Sequence, residues 1–239
     1  MWIMLKYKQL TPMILTHLSV FDSVLSYGLA SLRNFDLRKD EDIYKAEYGY
    51  IDDLPITKTV YEKGWFYNIS LSLFSNPVIK YTYLSRKFIP DRFIYENRHK
   101  DIYSIRFTEK ENAGVGREKA IMDRYRTVQS DYVYVILETN NEREIIDIAD
   151  KINFIGKKSS FGFGQVKLVD YYNVDVKDFV YKDILIRPVP TSLVNDRGYG
   201  IIKTRIRPPY YIKDEMCEDV CYIDKRLFTF KQLQLEEGE

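Results

Sequence analysis

The stretch Tyr132-Val-Tyr-Val-Ile-Leu137 is the strongest strand signal in the 239-residue chain, a run of aromatic, β-branched and leucine side chains. It leads into Asn140-Asn-Glu-Arg-Glu-Ile-Ile-Asp-Ile-Ala-Asp-Lys-Ile152, where asparagine supplies an N-cap and Ile145, Ile148, Ala149 and Ile152 recur on one helical face. A glycine loop follows, and Gln165-Val-Lys-Leu-Val-Asp-Tyr-Tyr172 returns as a strand. Toward the N-terminus, Met13-Ile-Leu-Thr-His-Leu-Ser-Val20 reads as a strand. Phe21-Asp22-Ser23 then caps a helix with Val24, Leu25, Leu29 and Leu32 at apolar spacing. Between these halves, Trp65-Phe-Tyr-Asn-Ile-Ser-Leu-Ser-Leu-Phe74 alternates. Ser75-Asn76-Pro77 separates it from Val78-Ile-Lys-Tyr-Thr-Tyr83, which predicts a hairpin. Strand, helix, strands, helix, strand is an α+β order with a ferredoxin-like βαββαβ core, the topology that RNA-recognition modules also use.

Composition narrows the function classes. Apolar residues at 45% and charged residues at 30% are those of a globular chain, and no apolar run approaches the roughly 18 residues of a spanning helix. Met-Trp-Ile-Met-Leu-Lys6 carries a charge too early for a secretory signal, so a cytoplasmic location is expected. Two cysteines, Cys217 and Cys221, are too few for a disulfide framework or a thiolate metal site, and no metal or small-molecule cofactor is expected.

The net charge of +1 hides a segregated distribution. Residues 80–130 hold twelve Lys or Arg against seven Asp or Glu, and residues 182–211 hold six against two. The tail from 212 holds four against eight. Residues 85–127 read as a basic insertion or excursion from the sheet, and residues 174–239 as a C-terminal extension packed on a core spanning 1–173. Aromatic residues make up 15% of the chain, and beside Arg or Lys they suit base stacking as well as a β-rich core.

The loop Phe154-Ile-Gly156-Lys157-Lys158-Ser159-Ser160-Phe161-Gly162-Phe163-Gly164-Gln-Val166 is the most informative segment. Gly156, Gly162 and Gly164 allow close backbone approach, Lys157 and Lys158 supply charge, and Ser159 and Ser160 supply hydroxyl donors, the groups that hold a phosphate chain. It is neither a Walker loop nor a dinucleotide fingerprint, because the helix precedes it and a strand follows. A flexible connector is the plainer alternative. A second basic segment, Gly116-Arg117-Glu-Lys119-Ala-Ile-Met-Asp-Arg124-Tyr125-Arg126, combines Arg117, Lys119, Arg124 and Arg126 with the ring of Tyr125, against the alternative of a solvated charged face. Arg187, Arg205 and Arg207 lie among prolines that stiffen their loops, and a structural use is equally open to them.

A Gly-Lys-Lys-Ser-Ser-Phe-Gly-Phe-Gly-Gln-Val loop closing such a unit resembles the glycine-rich loop of the RAMP superfamily of CRISPR-associated proteins. Phe21-Asp22-Ser23-Val24-Leu25-Ser26-Tyr27, Leu54-Pro55-Ile56, Ile184-Leu185-Ile186-Arg187-Pro188-Val189-Pro190, Gly198-Tyr199 and Arg207-Pro208-Pro209-Tyr210-Tyr211 resemble segments of its five-type subunit in type IV effector complexes, which caps the 5′ handle of the guide RNA. The resemblance spans most of residues 13–211, and the family has a comparable basic segment before its central strand. It implies a non-catalytic, crRNA-binding subunit in antiviral defence, acting through the loop and the basic residues named above. The implied partners are single-stranded guide RNA and a backbone RAMP subunit within a ribonucleoprotein complex, with no membrane.

Two other function classes compete with this reading. His99, in Asn97-Arg98-His99-Lys100, is placed among cations where an imidazole could act as general base in metal-independent cleavage of guide RNA, though no partner acid is identifiable. The third class is a structural subunit that docks protein neighbours through aromatic surface. His17 alternates with apolar neighbours and reads as a packed ring.

Overall fold

The computed structural model describes residues 1–14, 20–32, 54–86, 121–195, 198–206 and 218–229. The protein is mixed α+β, with antiparallel pairing predominant and few helices. Strand β1 (Trp2–Gln9) is followed by β2 (Met13–Ile14) and helix α1 (Asp22–Leu32), then by β3 (Lys58–Tyr61), β4 (Gly64–Tyr67) and β5 (Leu73–Phe74). The long strands β6 (Val78–Arg86) and β7 (Ile121–Gln129) precede β8 (Tyr132–Glu138), helix α2 (Glu142–Asp150) and β9 (Val166–Asn173). Short strands β10 (Val180–Tyr181), β11 (Ile184–Leu185) and β12 (Val189–Pro190) lead to β13 (Gly200–Arg205), β14 (Glu218–Ile223) and helix α3 (Lys225–Thr229).

The main sheet has the order β5-β8-β1-β9. Its central strand, β1, pairs antiparallel with β8 from Trp2↔Glu138 to Lys8↔Tyr132, and on its other edge with β9 from Ile3↔Asn173 to Gln9↔Val166. Alternation decides what each face does. Ile3, Leu5 and Tyr7, with Val133, Val135 and Leu137, are fully buried and share one core with Phe21 just before α1, with Leu25 and Leu29 of α1 and with Ile145, Ile148 and Ala149 of α2. The Tyr7 hydroxyl donates to the Ala149 carbonyl (3.2 Å), so its polar end is satisfied within that core. Side chains from after residue 173, among them Ile184, Ile186, Ile223 and Leu227, join the same cluster.

Helix α2 forms where the sequence places it. Asn141 is the N-cap, accepting from the Glu144 amide (3.4 Å) while its own side-chain amide donates to the Glu144 carboxylate (2.9 Å), a reciprocal capping pair. Ile145, Ile148, Ala149 and Ile152 are all buried. Three expectations are corrected. The strand that enters the sheet before α1 is β1 at the N-terminus. The segment 13–20 contributes two strand residues, and residues 15–19 lie outside the described set. The hairpin expected across Ser75-Asn76-Pro77 does not pair with itself: Leu73 and Phe74 pair with Tyr134 and Val133, and β6 pairs with β7. The ends of the excursion are regular strand, in β6 up to Arg86 and in β7 from Ile121.

Contacts divide the chain into two compact units, residues 1–78 with 128–239, and residues 79–127. In the first unit a smaller sheet, β12-β14-β13, covers a second cluster of Phe66, Leu185, Val189, Ile206 and Cys221. Burial, with the Asp219 charge adding to it, pushes the Cys221 thiol up to about 12, so it stays a neutral, inert thiol at physiological pH.

Arg187, read from the sequence as a candidate RNA contact, lies inside this part of the molecule. It is fully buried, with its guanidinium 4.4 Å from the Phe66 ring centroid. It donates to the carbonyls of Pro188 (3.1 Å), Ile206 (2.8 Å) and Tyr67, with a longer bond to Ile69 (3.4 Å). A buried cation is tolerated when its donors are all directed at acceptors, and here backbone carbonyls from three segments converge on it. Arg187→Ala is expected to lower unfolding stability by about 3–5 kcal/mol, because buried carbonyls lose their donor. Arg187→Lys is expected to recover only part of the loss, since a compact ammonium does not reproduce the planar fork. Urea unfolding of the purified variants measures both.

Candidate nucleic-acid interface

The glycine loop has a rigid neck and an exposed tip. In the neck, the Ile155 amide donates to the Gly164 carbonyl (2.8 Å) and the Val166 amide to the Asn153 carbonyl (2.9 Å), with a bridge between Phe154 and Gln165. The chain just beyond β1 holds this neck from the side. The Gly164 amide donates to Pro12 O (2.8 Å), Leu10 N–H to Gln165 O (2.9 Å), Gln165 N–H to Thr11 Oγ1 (2.8 Å) and Lys157 N–H to Ile14 O (2.8 Å). The loop is therefore fastened to the end of the central strand.

At the tip, Lys158 adopts the left-handed region (φ 64°, ψ 35°) and starts a single 3₁₀ turn over Ser159–Phe161 that ends at Gly162. Lys157, Lys158, Ser159, Ser160 and Phe161 are all exposed, and the Phe161 ring is 65% exposed with the Lys158 ammonium 5.7 Å from its centroid. Two cations, two hydroxyls and an aromatic face are presented together on a fixed support, a combination suited to phosphates and one stacked base. Phe163, the second ring of the motif, is half-buried, so Phe161 is the ring positioned to stack.

The unit formed by residues 79–127 carries a second basic surface on paired β6 and β7. Arg124 lies with its guanidinium 3.7 Å from the Tyr81 ring centroid, and Tyr81 and Tyr83 are each 55% exposed. Arg124 is exposed and Arg126 half-buried, and alternation places them on the face opposite Tyr125, whose hydroxyl donates to Asp123 (3.2 Å). Tyr81 is therefore the ring beside Arg124, and alternation puts Tyr83 on the same face of β6. Their signal was present as aromatic residues at i and i+2 of a strand next to Lys80. Arg205 is half-buried near the end of β13, in register with Glu218. Arg117, Lys119, Arg207, His99, His17 and Cys217 lie outside the described residues. Among the described residues no group of three His, Cys, Asp or Glu is placed to hold a metal ion, and no helix is long and apolar enough to cross a membrane.

Residues 3–222, from β1 to β14, match the family described as CRISPR type IV associated protein Csf3. The chain belongs to that family. It is thus a type IV CRISPR-associated protein, consistent with a component of a CRISPR complex, and both the glycine loop and the β6/β7 arginines fall inside the matched span. No curated protein matches the chain.

The loop's glycines differ in what they tolerate. A Cβ on Gly164 (φ +75°) would clash with the Ile155 carbonyl oxygen, whereas one on Gly162 (φ +82°) meets nothing within 4 Å. Gly164→Ala should therefore lower the melting temperature by several degrees through a backbone clash. Gly162→Ala should cost about 1–2 kcal/mol, from its positive φ alone. Thermal unfolding of the two variants checks the ranking.

Proposed function

We propose that this family member is a non-catalytic subunit of a type IV CRISPR effector complex that binds single-stranded guide RNA and caps its 5′ handle. The observation that carries this reading is the tip of the glycine loop, where Lys157, Lys158 and Phe161 are exposed together on a neck locked by backbone hydrogen bonds. Rigid placement means that little ordering free energy is lost when phosphates dock, and permanent cations make the interaction independent of proton transfer. Arg124, Tyr81, Tyr83 and Arg126 supply a second basic and aromatic surface in the other unit. Arg117, Lys119 and Arg207 join the proposed contacts through sequence alone, and Arg187 leaves them because it is buried.

The fold supports the reading. An antiparallel sheet ordered β5-β8-β1-β9, with helices after β1 and β8, is consistent with the proposed ferredoxin-like, RRM-like core. In this proposal residues 1–173 form the RAMP domain, 174–239 its extension, and the neighbours in the cytoplasmic complex include a backbone RAMP subunit.

In a titration of single-stranded repeat RNA at several salt concentrations, the double variant Lys157→Ala, Lys158→Ala should bind more weakly. Its slope of log affinity against log salt should fall by about 1.4, two phosphate contacts at about 0.7 each. Unchanged affinity and slope would refute the role of the loop. Incubating the wild-type protein with labelled repeat RNA in chelator should leave the RNA intact. Site-specific cleavage leaving a 2′,3′-cyclic phosphate and lost in His99→Ala would replace the capping reading with a metal-independent endoribonuclease.

A further inference from the structure

Among the described residues, the face of the main sheet turned away from α1 and α2 is only partly covered. At one end the chain after β9 folds back over it: the Val174 amide donates to Trp2 O (3.1 Å), the Trp2 ring meets Phe179 edge-on at 6.0 Å, and Leu73, Tyr134 and Ile136 are buried. The end next to the glycine loop is different. There β1 presents Lys6 and Lys8. Lys8 is in register with Tyr132 on one side and Lys167 on the other, and Lys6 is in register with Asp170. Lys8 and Lys167 are exposed, Lys6 and Tyr132 half-buried, and Tyr172 is 39% exposed.

Two features of this patch point to an anionic, base-bearing ligand. Lys8 and Lys167 are directly opposed on neighbouring strands, an arrangement that costs stability because like charges face each other, and among the described residues neither makes an ion pair. A third cation, Lys6, sits with its ammonium 4.1 Å from the Tyr132 ring centroid, and the Tyr172 hydroxyl is fixed by a 2.8 Å bond to Asp170. The register shifts between Lys6 and Tyr7, leaving Val169 as the extra, exposed residue of a bulge that re-aims this edge of β9. The row is also continuous with the loop: Lys8 and Lys167 are next to the Gln9↔Val166 pair, and Leu10 bonds Gln165 immediately beyond it.

We propose that Lys8, Lys167 and Lys6, with Tyr132 and Tyr172, form a second single-stranded RNA track across the open end of the sheet, extending the strand held by the glycine loop. Cations on alternate residues of β1 are spaced by about 7 Å along the strand, so the backbone of an extended strand is followed by successive side chains while the tyrosine faces receive bases. The track rests on the RNA-binding reading above.

Lys8→Glu separates the track from a folding defect because the two effects have opposite signs. Replacing one of two facing cations by an anion should raise the melting temperature by about 1–3 °C through a new cross-strand ion pair with Lys167. It should weaken binding of a 12-nucleotide RNA by about tenfold and lower its salt slope. Lys8→Gln should weaken binding less, and RNA carrying 4-thiouridine should crosslink to Tyr132 or Tyr172 in the wild-type protein. Unchanged affinity and slope in Lys8→Glu, with the loop double variant still impaired, would overturn the track and leave the loop reading standing. If the wild-type protein binds no single-stranded RNA at all, both fall together. If Lys8→Glu keeps RNA affinity but no longer assembles with other complex subunits, the patch is a protein contact and the track is likewise overturned.

Discussion

The double pairing of Trp2–Gln9 is the constraint on which the molecule depends. A strand bonded on both edges has no freedom of register, because a slip of one residue would exchange Ile3, Leu5 and Tyr7 for Met4, Lys6 and Lys8 in the helix-facing core. Its end is equally determined. The buried Gln9 side chain donates to Thr11 O (2.9 Å) and Val128 O (2.8 Å) and accepts from the Ser130 amide (2.8 Å), so the chain leaves the sheet along one path. That path supplies the Pro12 and Ile14 carbonyls to which the glycine loop is bonded. The loop tip thus inherits its position from the central strand.

The first unit uses positively charged side chains in two opposite ways. Arg187 is an internal connector, its charge spread over a planar fork and offset by carbonyls from segments around residues 67–69, 188 and 206. Lys8, Lys157, Lys158 and Lys167 keep their charge exposed to solvent. The difference follows from chemistry. A guanidinium has five fixed donors and is weakly hydrated, so a dry site rich in carbonyls suits it, whereas an ammonium is strongly hydrated and remains at the surface. Among the described residues other charges are paired locally, as in Lys63 with Asp219 (2.8 Å) and Arg226 with Asp224 (2.6 Å).

The chemistry gathered at the loop tip is that of the proposed binding role. The groups gathered at the loop tip are permanent cations, hydroxyls and a ring, which act by charge, donation and stacking. Membership of the type IV CRISPR-associated family is consistent with a component of a CRISPR complex.

Local pattern alone was enough for some of this. Helix α2, its asparagine cap and its buried face were readable from 140–152, and β8 and β9 from their composition, because cap chemistry and periodicity act within a few residues. The glycine loop and its two lysines were also legible, since glycine and charge declare themselves in sequence. Other features depended on contacts between residues far apart in the chain. That Trp2–Gln9 is the central strand follows from partners more than 120 residues away, and Arg187 is interior because residues 67–69 and 206 meet around it. The choice of Phe161 over Phe163, and of Tyr81 beside Arg124 over Tyr125, rests on which face each ring occupies after packing. The sequence alone determined the local elements and the chemical character of the loop. Tertiary structure decided which charges are buried and which face solvent, because exposure is a property of the packed surface and is set by long-range pairing.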